Sequence, residues 1–387
     1  MIPERIAGYV SELVALRHDL HRHPETAFEE RRTSGVVAAE LGRLGYRVTT
    51  GIAGTGVVGT LSNGSGRKSI GLRADMDALP IMETTGLPYA SVTPGKMHAC
   101  GHDGHTATLL GAARLLAETR KFDGTVHLIF QPAEEDIGGA QRMIAEGLFE
   151  RFPCDAVFAF HNMPGFPTGQ FAVKPGAIMA AVDLARVVIT GVGGHSAMPH
   201  LTIDPIVAGA AVVSGLQTIV SRNIDPAEGA VVTVGAFNAG KASNVIPQTA
   251  ELDICIRSCT KPVRDLLADR VPKVIRGIAE AHGCTAAIDY EYSYPTTINW
   301  VGETSFVRLA AEAFSGPHPV RDLDAPMMGS EDFAYMLEAL PGCYFMLGNG
   351  DEKHRKALHN PSYDFNDALL PIGVAFWAHL VERYLPA

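Results

Sequence analysis

Short runs of Val, Ile, Leu and Phe alternate along this chain with stretches whose apolar residues recur every three or four positions. The runs at 68–74 (Lys-Ser-Ile-Gly-Leu-Arg-Ala), 125–130 (Thr-Val-His-Leu-Ile-Phe), 156–160 (Ala-Val-Phe-Ala-Phe) and 343–347 (Cys-Tyr-Phe-Met-Leu) read as strands buried on both faces. Helical spacing predicts helices near 4–22, 31–44, 103–119, 139–147, 304–314, 331–338 and 367–384. The segment 103–119 places Ala107, Leu109, Leu110, Ala113, Leu115 and Leu116 behind Asp103, which reads as its cap. Strands alternating with helices predict an α/β domain with a mainly parallel sheet.

Between about 181 and 294 the pattern changes. Strand 183–190, helix 204–221, strands 230–237 and 248–257, helix 262–282 and strand 285–292 follow in the order βαββαβ, the ferredoxin-like arrangement. The first and last strands of that arrangement lie near each other, so such a unit can be inserted without separating the flanking chain. The expected organisation is a domain formed by 1–180 plus 295–387, interrupted by an α+β domain at 181–294.

The length of 387 residues suits two domains, and 47% apolar against 19% charged residues gives ample core material. A net charge of −10 argues against nucleic acid as a partner, because phosphate binding needs clustered Lys and Arg. The first twenty residues carry Glu4, Arg5, Glu12, Arg17 and Asp19, unlike a signal peptide, and no run approaches the roughly 18 apolar residues of a membrane span. Six cysteines are too sparse for a disulfide framework. A soluble cytoplasmic protein with no membrane partner is expected. Gly54-Thr-Gly56-Val-Val-Gly59 matches a dinucleotide fingerprint, but Thr60-Leu61-Ser62-Asn63-Gly64 follows in place of a helix, so the segment reads as a glycine-rich hairpin.

The candidate chemistry sits at predicted strand ends. Met97-His98-Ala99-Cys100-Gly101-His102-Asp103-Gly104-His105 packs three histidines, a thiol and a carboxylate into nine residues. Asp75 and Asp77 follow strand 68–74, Glu134 and Glu135 follow 125–130, His161 follows 156–160, and His359 follows 343–347. Open α/β sheets place ligands at this edge, and imidazole, thiolate and carboxylate are the ligand types that zinc-like ions take. Consecutive carboxylates point to opposite sides of an extended chain. One of Glu134 and Glu135 can therefore ligate a metal while the other serves as general base. On strand 251–257, Glu251, Asp253, Cys255 and Arg257 alternate with Leu252, Ile254 and Ile256, which puts Arg257 on the polar face. There it either clamps a substrate carboxylate or pairs with Asp253 or Glu251.

These motifs resemble the M20 family of metallopeptidases and amidohydrolases, in its branch of hippurate hydrolases and auxin-conjugate amidohydrolases. The likeness runs from Leu16-Arg17-His18-Asp19-Leu20-His21 to Asp364-Phe365-Asn366-Asp367. It is carried by Arg73-Ala-Asp75-Met-Asp77-Ala-Leu-Pro80, His98-Ala-Cys100-Gly-His102-Asp-Gly-His105, Gln131-Pro-Ala-Glu134-Glu135, Gly193-Gly-His195-Ser-Ala-Met-Pro-His200, Ser243-Asn244-Val-Ile-Pro247 and Gly329-Ser-Glu-Asp-Phe333. The resemblance implies a zinc-peptidase-like catalytic domain interrupted by a lid or dimerisation domain, in a homodimer or homotetramer.

It further implies two divalent metal ions, with zinc or manganese favoured and cobalt or nickel open. Cys100 would bridge them in place of the wider family's Asp, His102 and His161 would complete one site and Glu135 and His359 the other, with Glu134 as general base. His195 would reach the other subunit's active site to stabilise an oxyanion, and Asn244 and Arg257 would bind substrate. Arg73 stands where the wider family has a His, so Asp75 is expected to support ligands without ligating, as are His98, Asp103 and His105. The implied reaction is amide hydrolysis of an N-acyl amino acid, with hippurate as reference substrate. The alternatives are a dipeptidase or carboxypeptidase, an N-acetyl-amino-acid deacetylase (N-acetyl-diaminopimelate is one such substrate), or a non-enzymatic metal-binding protein.

Overall fold

The computed structural model describes residues 4–136, 138–315 and 320–387, which divide into two compact units. The larger comprises the described residues of Met1–Ile178, Ile298–Asp324 and Asp332–Ala387; the smaller comprises Met179–Thr297 and Ala325–Glu331.

An eight-stranded sheet forms the larger unit, in the order Arg47–Ile52, Gly56–Asn63, Gly124–Gln131, Ser69–Asp75, Ala156–Pro167, Gly342–Gly350, Phe171–Val173, Arg321–Asp322. Its centre is parallel: Ser69–Asp75 runs beside both Gly124–Gln131 and Ala156–Pro167, and the latter beside Gly342–Gly350. The central strands are apolar on both faces because helices cover both. Leu72, Leu128, Phe158 and Phe345 are fully buried in one core. The glycine-rich segment forms an antiparallel hairpin of Arg47–Ile52 with Gly56–Asn63.

Parallel pairing sets the register of the strand ends. Asp75 lies opposite Gln131, and Arg73 opposite Ala159, so that Asp75, Gln131 and His161 reach the same edge of the sheet. The strand expected at 156–160 continues to Pro167, and His161 lies within it. Helix His102–Thr119 is buried at fourteen of its eighteen positions. Gly111 permits its close packing, since a Cβ there would lie 2.5 Å from Val374 and 2.8 Å from Leu13, on two neighbouring helices. Asp103 is not its cap. The N-cap is Gly101, at φ 92, with no side-chain capping bond, and Asp103 occupies the first turn and bonds elsewhere. The helix expected at 4–22 is two, Glu4–Ala7 and Val10–Arg22.

The smaller unit contains an antiparallel sheet ordered Ala230–Ala239, Thr249–Ser258, Ala181–Thr190, Thr285–Tyr292. Helices Pro205–Asn223 and Lys261–Ala281 share a core with it through Val187, Leu252, Ile254, Val212, Leu216, Leu267 and Ile275. This is the ferredoxin-like arrangement. Its first and last strands pair, with Asp183 opposite Tyr292, so the chain enters and leaves side by side. Residues 325–331, outside the expected 181–294, also belong here: Ala180 N–H donates to Met327 O and Gly329 O, each at 2.9 Å. Pro205–Asn223 is long and apolar enough to cross a membrane by length and composition, although Ser214, Gln217, Thr218, Ser221 and Arg222 interrupt its apolar residues. It buries Ala208, Val212, Leu216 and Ile219 at helical spacing on the sheet, the pattern of an amphipathic packing helix.

Asp183 ties this unit together. Its carboxylate accepts from Arg264 Nη2 at 2.6 Å, Arg264 Nε at 3.1 Å, the Tyr290 hydroxyl at 3.1 Å and Ser293 N at 3.3 Å. Removing one member of a buried pair strands the other's charge, at a cost of about 3–5 kcal/mol. Asp183→Ala is therefore expected to destabilise the smaller unit by roughly 3 kcal/mol, at the lower end because the Arg264 side chain is 14% exposed. Hydrogen exchange should show lost protection at 181–190 and 285–292, while the large sheet keeps its protection.

Candidate metal centre

The larger unit brings six of the sequence candidates together. One ligand atom from each of Cys100, His102 and His161 lies within 4.8 Å of the others, and the same holds for Cys100, Glu135 and His359, and for His102, Glu134 and Glu135. Cys100 Sγ is 3.3 Å from His161 Nε2, His102 Nε2 is 3.8 Å from Glu135 Oε1, and His359 Nε2 is 3.3 Å from Glu135 Oε2.

The backbone holds the histidine rings in one tautomer. His102 Nδ1 is 3.0 Å from Asp77 O, and His161 Nδ1 is 2.7 Å from Asn162 O. A carbonyl can only accept, so each Nδ1 carries the proton and each neutral ring turns the Nε2 lone pair toward the cluster. His102 Nε2 and Glu135 Oε1 are buried with no hydrogen-bond partner among the described residues. Two buried acceptors with nothing donating to them are costly unless a cation lies between them. The donor set of thiol, imidazoles and carboxylates fits a divalent ion of the zinc class.

The electrostatics agree. Asp75, Asp77 and Glu134 are buried and the Glu135 side chain is 9% exposed, which concentrates negative charge. Burial, followed by the charges of Glu135, Glu134 and Asp75, pushes the Cys100 thiol well above its ordinary value. Burial acts against charge on His102, but Asp75, Asp77 and Glu135 outweigh it and push that ring up to about 10. His161, by burial and by neighbouring His105, is pushed well below its usual range. Adjacent cations would reverse the first two effects, displacing the protons so that a thiolate and a neutral imidazole could serve as ligands.

Residues flanking the cluster hold its side chains. Asp77 serves two, with its carbonyl at His102 Nδ1 and its Oδ2 accepting from Glu135 N at 2.9 Å. Asp75 accepts from Arg73 Nη1 at 2.6 Å and from His105 Nδ1 at 2.6 Å, while Asn162 N donates to His105 Nε2 at 3.0 Å. Asp75 also lies 3.8 Å from His102 Nε2. His98 is buried with both ring nitrogens lacking a hydrogen-bond partner among the described residues. Asn162 had no place in the sequence reading, although it adjoins His161. Its Nδ2 donates to Cys100 O at 2.6 Å, and its Oδ1 accepts from the Tyr363 hydroxyl at 2.6 Å. Gly101 makes that junction possible: it adopts φ 92, and a Cβ there would sit 2.4 Å from Asn162 Nδ2.

Asp103 turns away from the ligands. It lies 2.9 Å from His21 Nδ1 and 3.4 Å from Arg17 Nη1.

The other three candidates lie in the smaller unit. His195 is exposed, in the short strand Gly194–His195 opposite Val245–Ile246. Ala197 N donates to its Nδ1 at 3.1 Å, so the proton of the neutral ring is on Nε2. Asn244 is adjacent, its carbonyl accepting from Ser196 N. Arg257 does not bond Asp253 or Glu251; its Nη1 donates to Met328 O at 2.9 Å and to Ser330 Oγ at 3.4 Å.

Residues 71–383 match peptidase family M20/M25/M40. Hippurate hydrolase of Campylobacter jejuni is 43% identical over 100% of this chain and 99% of its own length. N-acetylcysteine deacetylase of Bacillus subtilis is 37% identical over 96% of this chain and 97% of its own. A crystal structure of a dinuclear metal-binding peptidase of the M20 family, from Bacillus subtilis, superposes with a TM-score of 0.82 at 32% identity, covering 98% of this chain and 99% of that one.

The His21–Asp103 pair predicts a pH dependence. Burial opposes charge on His21, but Asp103 and Glu83 outweigh it, moving its pKa from 6.5 to about 9. A raised pKa contributes stability that is complete below pH 6.5 and lost as pH rises through about 9. The melting-temperature deficit of His21→Gln relative to wild type should be largest near pH 6 and should shrink toward pH 9. An equal deficit at both would contradict the charged pair.

Proposed function

Because the chain belongs to peptidase family M20/M25/M40 and is a hydrolase of amide bonds, we propose that it is a di-metal amidohydrolase releasing an amino acid from an N-acyl amino acid such as hippurate. The observation that carries this reading is the set of buried lone pairs on Cys100, His102, Glu135 and His161, gathered without a donor for His102 Nε2 or Glu135 Oε1. The C. jejuni relative, which matches over its whole length, supports the substrate class.

In this reading Cys100, His102 and His161 would hold one ion, and Glu135 and His359, together with Cys100, would hold the second. Zinc suits the thiolate and imidazoles, manganese the carboxylate. Bound ions supply Lewis acidity that polarises the acyl carbonyl and acidifies a water. Glu134 would take a proton from the water as its oxygen bonds to the acyl carbon, and return it to the nitrogen as the C–N bond breaks. His195 donates from Nε2 to the developing oxyanion. Arg257 has five donors, of which Nη1 makes the contacts to Met328 and Ser330, and its remaining donors receive the substrate carboxylate, while Asn244 meets the substrate beside His195.

The domain formed by 1–180 and 295–387 is the catalytic one, and the insert at 181–294 is a lid and dimerisation domain. Exposed Met198, Leu201, Val207 and Val245 near His195 support a homodimer or homotetramer built on that face. A cytoplasmic location completes the reading, supported by six free cysteines. The B. subtilis deacetylase favours a second reading, in which the acyl group is acetyl.

Chelator-stripped protein should release no glycine from hippurate, and added manganese or zinc should restore release. Restored cleavage of N-acetyl amino acids with none of hippurate would favour the deacetylase. Glu134→Gln should retain two metal equivalents while kcat falls by about 10²–10⁴; a near wild-type rate would remove Glu134 as the base. Cys100→Ala should lose metal along with activity, and full metal content by elemental analysis would contradict the bridge.

A further inference from the structure

The segment Leu16-Arg17-His18-Asp19-Leu20-His21 has no part in the chemistry proposed above, yet Arg17 is fully buried more than 80 residues in sequence from each carboxylate it meets. It lies on helix Val10–Arg22, and its guanidinium faces three carboxylates. Nε donates to Asp367 at 2.8 Å, and Nη1 donates to Asp364 at 3.0 Å and, more loosely, to Asp103 at 3.4 Å.

Neighbouring side chains complete the contact. Tyr89 lies under the guanidinium, 4.6 Å from its ring centre, stacks on His18 at 3.6 Å, and donates its hydroxyl to Asp364 at 2.8 Å. His18 Nε2 is 2.8 Å from the other Asp367 oxygen.

Asp364 and Asp367 belong to the irregular segment 351–368, between strand Gly342–Gly350 and helix Leu369–Tyr384, which also carries His359. The two halves of the metal cluster differ in how they are held. Cys100, His102 and His161 are buried on a strand and at the start of a buried helix. His359 is 53% exposed in its side chain, at φ 63, and among the described residues its backbone is held through one bond, from its N–H to Ala99 O at 2.8 Å. Its aim toward Glu135 therefore depends on how segment 351–368 is fastened.

We propose that Arg17 is a positioning residue for the His359 half of the metal site, an inference that rests on the two-metal reading above. Losing Arg17 would leave Asp364 and Asp367 without their buried cation and facing each other's charge. Asp103, beside His102, would keep its closer partner His21 at 2.9 Å. The effect should thus fall on the Glu135–His359 ion and spare the other.

The test is calorimetric titration of chelator-stripped wild type and Arg17→Met with Zn²⁺ alone. Wild type should take two equivalents. Arg17→Met should take the first with near wild-type affinity and the second about 10-fold or more weaker, the loss typical when a group supporting a ligand is removed. Asp367→Asn, at a half-exposed position, should weaken the second equivalent in the same direction, and it carries the test if Arg17→Met does not fold. Two equivalents at wild-type affinity, or both weakened alike, would overturn the inference, the latter marking Arg17 as a general staple. A wild type that takes fewer than two equivalents would instead sink the two-metal reading itself.

Discussion

Four carboxylates drawn into one poorly solvated pocket are the constraint on which the larger unit depends. Asp75, Asp77, Glu134 and Glu135 converge where parallel strands end, and burying like charges is prohibitive without cations. Arg73 answers part of that charge by bonding Asp75 and Asp332. The remainder faces Cys100, His102 and His161, groups of the kinds that can hold a metal and whose proton affinities the pocket distorts. Fixed tautomers, the left-handed turn at Gly101 and the paired duties of Asp77 all serve to hold lone pairs inward.

Much of this was legible in the sequence because it is local. Strands 68–74 and 125–130 end where their apolar runs end, and the chemistry-bearing residues follow at once. The βαββαβ order of the insert could be read from alternation alone, and the hairpin at 47–63 from its glycines. What escaped was what depends on distant partners or on breakers. The strand 156–167 reads short because Pro164, Gly165 and Pro167 interrupt it, yet it continues through His161. Asp103 resembles a cap from its position, but Gly101 takes that place because only glycine fits against Asn162 and Tyr363. Asn162 gave no signal, and the part played by Arg17 within its motif could not be read, since their partners lie 62 and 350 residues away.

On the proposed reading the two units differ in chemical terms. The larger would supply anionic and imidazole ligands from a buried frame, suited to a task in which small displacements matter. The smaller presents His195, Asn244 and Arg257, neutral or cationic donors on exposed or half-exposed positions. Donors of that kind suit the anionic ends of a substrate, its carboxylate and the oxygen that gains charge during hydrolysis.

The most direct test of the central claim is an anomalous difference map from crystals of zinc-loaded protein, measured above and below the zinc absorption edge. Two peaks should appear, both within bonding distance of Cys100 Sγ, one shared with His102 and His161 and the other with Glu135 and His359. A map with no peak at Cys100, or with a single ion held by other residues, would contradict the account.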